Sequence, residues 1–325
     1  MTRPTIEPLE FTGLAAMALR ESEDRIIITG TSGWIGMTTL EMLHGIFGRA
    51  LPRRVSCFGS NAKTLRLRNG FSVEQKPLNR LADLSPSPST LLHYAYLTRE
   101  KTVDRPLDEY ITQNRSISSY VEHQALRIGV NRIFFTSSGA VYNADRSLTR
   151  DIEKNSYGFL KLEDEKRFIK LADYADKRVA IARVFNVSGP YINKWNSYAL
   201  SSFILDALRG NEIAINSSHR VMRSYTEVAQ LISMVFAFLH AQDSEKVLLF
   251  DTAGEEEVEI GILAALVNQA LGVDVPVNRA NVDLAREDRY LGTGEEYLPR
   301  SYAYGVDVCP LKRQIQKTAD YLKSY

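Results

Sequence analysis

The sequence predicts an α/β protein with a doubly wound parallel sheet and a smaller C-terminal α/β lobe, and three observations support this prediction. Short apolar runs alternate with segments of helical spacing through the first half of the chain. The runs are apolar at consecutive positions, which is typical of parallel strands that helices cover on both faces. A glycine-rich turn stands between the first run and the helical segment that follows it. In such sheets, ligands bind at the carboxyl ends of the strands.

The predicted elements follow in order along the chain. Strands are predicted at 25–29, 54–60, 91–97, 132–138 and 178–189, and helices at 38–47, 110–129 and 155–175. The longest stretches without charge, 228–242 and 261–273, are too short to span a bilayer and contain polar residues, so we expect buried helices there. After Gly189 a loop of mixed polar and aromatic residues indicates the start of a second lobe.

The composition argues against several classes of protein. A net charge of +1 gives no electrostatic reason to expect nucleic acid or an anionic membrane as a partner. The first residues include acids and lack the apolar region of a secretion signal. Cys57 and Cys309 are isolated and form neither a metal-binding pattern nor a disulfide framework. We therefore expect a reduced, cytoplasmic protein without a metal site.

The turn after the first strand carries Gly30, Gly33 and Gly36, a spacing typical of dinucleotide binding in this context. The first glycine permits the tight turn, the second lets the backbone approach a pyrophosphate, and the third lets the helix pack closely on the strand. The helix start offers free N–H groups and a positive dipole end to the phosphates. Other residues of the same turn, Ser32, Trp34 and Ile35, are expected to bind the cofactor with the glycines.

The end of the second strand favours NADP over NAD. An acid usually stands there and binds the ribose hydroxyls of NAD, but this chain has Gly59. Loss of the acid removes repulsion against a 2′-phosphate. Ser60, Asn61 and Lys63 follow and could bind that phosphate. The alternative is a solvated basic loop beside bound NAD.

Tyr157 and Lys161 lie four residues apart, so a helix places them on one face. A free tyrosine is a poor base, with a pKa of about 10. A nearby ammonium group favours the phenolate, so the pair could take up or deliver a proton. Ser138 ends a predicted strand, where its hydroxyl could hold a substrate oxygen. The charged run at 162–167 is expected to be the solvent face of the same helix.

The three-glycine turn, the segment RIFFTSSGAVY at 132–142 and the Tyr157–Lys161 pair together resemble the extended short-chain dehydrogenase/reductases. The resemblance runs from about residue 25 to the C-terminus and implies a Rossmann-type fold. It implies Ser138, Tyr157 and Lys161 as catalytic residues, with Ser138 preferred to Ser137 because the family's residue precedes the tyrosine at Tyr142 by four positions. It also implies a homodimer formed through helices 110–129 and 157–175.

The same resemblance implies a nucleotide-sugar substrate. Asn186 and Arg223 lie in segments similar to those that surround the substrate phosphates in the family, and Tyr142 is expected to line the substrate site or to be structural. Tyr94 and Ala95 match a strand end that lines the cofactor. Gly139–Ala140 replaces the acid pair of the sugar 4,6-dehydratases, which disfavours dehydration. The cysteine of the fucose-type epimerase-reductases is also missing.

These observations lead to one main hypothesis and two alternatives. The main hypothesis is an NAD(P)-dependent 4-epimerase or 4-ketoreductase of a nucleotide-activated sugar. The alternatives are a reductase of a non-nucleotide carbonyl compound and a non-catalytic dinucleotide sensor. The expected domains are an extension at 1–24, a dinucleotide-binding domain at 25–187 and about 222–250, and a substrate-binding lobe at about 188–221 and 251–325.

Overall fold

The computed structural model describes residues 7–102 and 105–323, so the first six residues of the predicted extension lie outside the described part. The strands are β1 (Arg25–Thr29), β2 (Val55–Gly59), β3 (Lys63–Arg66), β4 (Ser72–Pro77), β5 (Ser89–His93), β6 (Val130–Ser138), β7 (Arg178–Val184), β8 (Asn186–Ser188), β9 (Ile213–Ile215), β10 (His219–Arg223), β11 (Tyr225–Glu227), β12 (Val247–Asp251), β13 (Val258–Glu259), β14 (Val277–Arg279) and β15 (Asp283–Arg289). The helices are α1 (Gly13–Glu21), α2 (Trp34–Phe47), α3 (Leu51–Arg54), α4 (Leu107–Arg127), α5 (Ser156–Tyr174), α6 (Ala199–Leu208), α7 (Val228–His240), α8 (Ile260–Leu271), α9 (Tyr297–Ala303) and α10 (Leu311–Leu322).

The main sheet has eight strands in the order β12-β7-β6-β5-β1-β2-β4-β3. All neighbouring strands are parallel except the edge pair β3–β4. The α/β class with a large parallel sheet is therefore confirmed. Because β1 pairs with both β2 and β5, the strand order reverses there. Such a switch point opens a crevice at the carboxyl ends of the strands.

The sheet is covered on both faces. Consecutive residues of its central strands enter different apolar clusters: Leu92 and Phe134 belong to one, and Leu91 and Phe135 to the other. This alternation follows from the opposite directions of successive side chains along a strand. It explains why the strands are apolar at consecutive positions.

The smaller sheets lie in the region after β7. They join β13, β10 and β15 in one sheet, β11 and β8 in a second, and β14 and β9 in a third. Helices α6, α8 and α10 pack on one another beside them. The division into a cofactor domain and a substrate lobe at the expected boundaries stays a prediction.

Several predicted element ends differ from the observed ones. The strand predicted at 91–97 begins at Ser89 and ends at His93, and the residues after it pack against Gly30, where a Cβ would lie 2.6 Å from the Ala95 nitrogen. The helix predicted at 155–175 is observed at Ser156–Tyr174. The β3–β4 pair was not predicted. In β4 alternate residues are exposed, and in β3 three of the four residues are exposed. Neither strand therefore has the continuous apolar run that predicts a buried strand.

Helix α1, which lies inside the predicted extension, packs on α7. Phe11, just before α1, meets Phe236 of α7 edge-on, with ring centroids 5.1 Å apart. The Thr12 N–H donates to the Ser233 hydroxyl at 3.3 Å, and the Leu14 N–H donates to the Tyr304 carbonyl at 2.9 Å. Helix α1 therefore completes the cover of a helix that is buried along most of its length.

Candidate active site

The glycine turn lets neighbouring backbone segments pack closely around it. Gly30 has φ of +72°, which favours glycine, and a Cβ there would lie 2.6 Å from the Ala95 nitrogen. A Cβ on Gly36 would lie 2.5 Å from the Thr31 carbonyl oxygen, so this glycine lets α2 pack against the turn. At Gly33 the nearest atom to a Cβ is the Gly30 oxygen at 3.3 Å. These are the positions at which a dinucleotide site needs a turn, helix packing and an open backbone.

A cleft of about 380 Å³ lies at this edge of the sheet. Ten of the residues predicted from the sequence line it: Gly30, Gly33, Trp34, Ile35, Gly36, Tyr94, Ser138, Tyr157, Lys161 and Asn186. The glycine turn and the predicted proton-transfer residues therefore share one cavity. Its lining combines the glycine turn with hydroxyl and ammonium side chains, the groups that a dinucleotide site requires.

The remaining predicted cofactor residues lie around the cleft rather than in its lining. Ser32 is in the turn and donates its N–H to Gln75 Oε1 at 3.1 Å. Ser60, Asn61 and Lys63 are exposed on the loop after β2 and at the start of β3. Ala95 abuts Gly30.

The start of α5 is fixed to the turn that follows Ser138. Asn155 caps the helix by accepting the Gly158 N–H at 3.0 Å, and its Nδ2 donates to the Ala140 carbonyl at 2.7 Å. A Cβ on Gly158 would lie 2.0 Å from the same carbonyl oxygen, so only glycine permits this contact. Sequence reasoning missed Asn155, although an asparagine before a helix is a recognised capping signal. This anchoring places Tyr157 beside Ser138.

Lys161 is buried and already engaged. Its Nζ donates to the Thr136 carbonyl at 2.7 Å and lies 3.6 Å from the centre of the Tyr96 ring. Burial lowers the pKa of Lys161 to about 7, although Asp164 and Glu165 raise it. Tyr96 was not predicted, and its hydroxyl has no hydrogen-bond partner among the described residues.

The pKa of Tyr157 lies above that of a free tyrosine in this environment. Burial raises the pKa of its phenol, and the hydrogen bond with Ser138 only partly offsets this. The expectation that Lys161 lowers the pKa is not met here, because the ammonium group lies 6.0 Å from the Tyr157 ring centre and faces Tyr96 instead. In this state Tyr157 can donate a proton. To act as a base it needs further positive charge nearby.

A buried ionic network lies beside Ser137 and Tyr142. Glu165 forms a bidentate pair with Arg183 at 2.7 and 2.9 Å and accepts the Ser137 hydroxyl at 2.5 Å. Arg183 also donates to the Tyr142 hydroxyl at 2.5 Å, and Tyr142 donates to Asp251 at 3.1 Å. Tyr142 lines a neighbouring cavity of about 560 Å³ that it shares with Tyr157. It is thus both a network member and a cavity residue.

The expectation of a solvent face at 162–167 is wrong for two of its acids. Asp164 and Glu165 are buried. Asp164 accepts the Ser118 hydroxyl of α4 at 2.6 Å and pairs with Arg167 at 3.3 Å. A charged residue can be buried when partners satisfy it, and these partners come mostly from other elements.

Tyr290 is a site residue that sequence reasoning missed. It lines both cavities, and its phenol interacts with Ser138, which partly offsets the effect of burial in raising its pKa. Its carbonyl accepts the Asn186 side chain at 3.1 Å. Arg223 is absent from the cleft lining and pairs with Asp288 at 2.6 Å. A substrate role for Arg223 therefore requires this pair to open.

Within residues 7–102 and 105–323, no group of three or more His, Cys, Asp or Glu side chains could hold a metal ion. Within the same ranges, no helix has both the length and the hydropathy to cross a membrane.

Comparison with known proteins adds a family and a set of similar folds. The model of the NAD dependent epimerase/dehydratase family matches residues 26–251. UDP-glucuronic acid decarboxylase 1 of Xenopus tropicalis is 30% identical over 94 residues, which are 29% of this chain. The match spans only 22% of that relative's length.

Two solved structures illustrate the similarity of fold. A UDP-N-acetylglucosamine 4-epimerase from Methanobrevibacter ruminantium, in complex with UDP-N-acetylmuramic acid, is 17% identical with a TM-score of 0.72, covering 93% of this chain and 99% of that one. A UDP-glucose 4-epimerase from Thermotoga maritima, with UDP-glucose, is 17% identical with a TM-score of 0.66, covering 92% and 99%. At these identities the similarity establishes the fold.

Proposed function

This chain belongs to the NAD-dependent epimerase/dehydratase family, and from this premise we propose that it acts at C4 of a nucleotide-activated sugar, as a 4-epimerase or a 4-ketoreductase. One observation carries the proposal: the glycine turn, Ser138, Tyr157 and Lys161 line a single cleft. A sensor would need the turn alone. The convergence of a proton-transfer set on the same cleft favours catalysis.

Each residue has a distinct task in the proposed reaction. When bound, the dinucleotide supplies the hydride acceptor or donor and, in its oxidised form, a positive charge. Tyr157 gives a proton to the C4 oxygen in reduction and removes it in oxidation. Ser138 holds that oxygen through its hydroxyl. Lys161 supports the phenolate by its charge, which requires its ammonium group to turn from Tyr96 towards Tyr157.

Replacing Tyr157 by Phe tests the catalytic assignment. We expect turnover to be abolished while dinucleotide affinity stays near that of the unaltered protein, because the ring remains and only the proton donor is lost. Tyr174→Phe, in the same helix and 62% exposed, is the matched control and should keep full activity. Undiminished turnover by Tyr157→Phe would show that the mechanism is wrong.

The dinucleotide that co-purifies with the protein separates the two versions of the reaction. An epimerase returns the hydride to the same substrate and keeps its cofactor, so an oxidised dinucleotide should remain bound through purification. A ketoreductase releases the oxidised cofactor, so its site should be empty. Extraction and chromatography of the nucleotide distinguish these outcomes. We favour NADP over NAD because Gly59 replaces the usual acid.

The proposed substrate carries a diphosphate. Asn186 lies in β8 and lines the cleft, and Arg223 ends β10, just before β11, which pairs with β8; its guanidinium group is neutralised by Asp288. Similar structures hold UDP compounds, so UDP is the first nucleotide to test. We expect UDP, GDP, CDP or dTDP to raise the melting temperature. If none does, a non-nucleotide carbonyl substrate becomes the better proposal.

We further propose that the protein is a homodimer formed through α4 and α5, and that it is cytoplasmic. These helices pack on each other at one face of the sheet, and the resemblance to the family supports their use as an interface. Sedimentation velocity tests the assembly. A monomer at micromolar concentration would contradict it.

A further inference from the structure

The side chain of Gln75 fills the space into which an acid at position 59 would project. A Cβ built on Gly59 would lie 2.3 Å from Gln75 Nε2 and 2.6 Å from Oε1. Gln75 belongs to β4, which pairs with β2, and only 2% of it is exposed. The glycine at position 59 and the glutamine at position 75 are therefore sterically linked, because any larger residue at 59 displaces the carboxamide.

Two hydrogen bonds hold the carboxamide of Gln75 in this position. Its Oε1 accepts the Ser32 N–H of the glycine turn at 3.1 Å, and its Nε2 donates to the Asn61 carbonyl at 2.8 Å. One side chain thus ties the phosphate-binding turn to the loop after β2. A carboxamide has two N–H donors and two acceptor positions, so these bonds use half of its capacity.

The chemistry of this group differs from that of a carboxylate in one respect that matters for the cofactor. A carboxylate accepts hydrogen bonds from ribose hydroxyls and repels a 2′-phosphate. A carboxamide is uncharged and can donate as well as accept. It therefore removes the repulsion without leaving the turn unsupported, and the exposed Lys63 at the start of β3 adds positive charge on the same side.

We propose that Gln75 determines the preference for NADP over NAD. The absence of a side chain at Gly59 leaves room for its uncharged carboxamide, which occupies the space where an acid binds the ribose in NAD-dependent proteins of this fold. This inference rests on the proposed dinucleotide-dependent function. It deepens that function by assigning tolerance of the 2′-phosphate to a buried strand residue rather than to the basic loop. Its consequence is that charge at position 75 alone should change the preference.

Gln75→Glu is the direct test, because it adds a negative charge with almost no change of shape; Gln75→Met, which loses the same hydrogen bond to the Asn61 carbonyl without gaining a charge, is the comparison and should keep the NADP to NAD ratio. Binding of NAD, NADP, 5′-AMP and 2′,5′-ADP is measured by calorimetry on the unaltered protein and the variant. We expect the ratio of NADP to NAD affinity to fall at least about tenfold, which corresponds to about 1.4 kcal/mol. The two shorter nucleotides should show the same shift in their ratio, since they differ from each other only by the 2′-phosphate. Ser72→Ala, at an exposed position of the same strand, should leave both ratios unchanged.

A second set of variants tests the steric link. Gly59→Asp should displace the carboxamide and weaken both cofactors, whereas Gly59→Asp with Gln75→Ala should bind NAD in preference to NADP. The same NAD preference in Gly59→Asp alone, or ratios within about twofold of the unaltered protein in Gln75→Glu, would overturn the role of Gln75. If the unaltered protein bound neither dinucleotide, the proposed function would fail as well.

Discussion

Removing the Arg183 side chain should destabilise the protein strongly, because it leaves the buried Glu165 carboxylate without its counter-charge. The Glu165 side chain is 2% exposed and that of Arg183 12%, and two hydrogen bonds join them. Breaking a buried ion pair by removing one partner typically costs 3–5 kcal/mol. Because Ser137 still donates to Glu165, we expect Arg183→Met to cost about 3 kcal/mol. Urea unfolding followed by circular dichroism measures this change in the free energy of unfolding.

Two comparisons make the test specific to burial. Glu165→Gln combined with Arg183→Met removes the stranded charge, so the double variant should recover about half of the loss. Arg289→Met breaks an ion pair with Glu257 whose side chains are 48% and 50% exposed and lie outside α4 and α5, so its cost should stay below about 1 kcal/mol. Equal costs for Arg183→Met and Arg289→Met would refute the reasoning, as would a double variant less stable than Arg183→Met.

Three further predictions concern the cleft. Gly36→Ala should abolish dinucleotide binding in a calorimetric titration, because its Cβ would lie 2.5 Å from a backbone oxygen. Gly45→Ala in the same helix meets its nearest atom at 3.6 Å and should bind normally and melt no lower. Burial lowers the pKa of Lys161 from 10.5 to about 7, so the unfolded chain binds more protons between these values and stability rises with pH across that window. Lys161→Met should flatten this rise in melting curves, and an unchanged slope would contradict the burial of the charge. Tyr290→Phe should lower kcat about tenfold, the effect of losing one hydrogen bond at the Ser138 hydroxyl in the transition state, without changing cofactor affinity in titration. A normal kcat would show that this phenol is structural.

The parts of the fold that could be predicted are those encoded by neighbouring residues. The glycine turn is a local device, because a tight turn, a close phosphate approach and helix packing each require glycine at a fixed spacing. Tyr157 and Lys161 could be paired because one helical turn separates them. The parallel sheet followed from strands that are apolar at consecutive positions. Each of these features can be predicted from residues that are close together in the sequence.

The parts that could not be predicted depend on partners far along the chain. In the sequence, Glu165 has the pattern of a surface acid, because its partner Arg183 lies on a separate strand. Gln75 acquires its position only because β4 pairs with β2, and Tyr290 reaches Ser138 from beyond β15. Polar residues carry no periodic signal of burial, so pattern analysis assigns them to the surface by default.

The contact between α1 and α7 also constrains the order in which the molecule can assemble. The bond from Thr12 to Ser233 joins positions 221 residues apart, so α1 is synthesised long before its partner exists. During translation this helix lacks the larger part of its docking surface until α7 is made, so its apolar residues Ala15 and Leu19 stay partly exposed. Closure of α1 on α7 is thus a late, long-range step, of the kind that slows folding through the entropy of loop closure. A nascent chain halted before α7 should leave α1 more open to protease than in the finished protein, where α7 covers its Ala15 and Leu19 face.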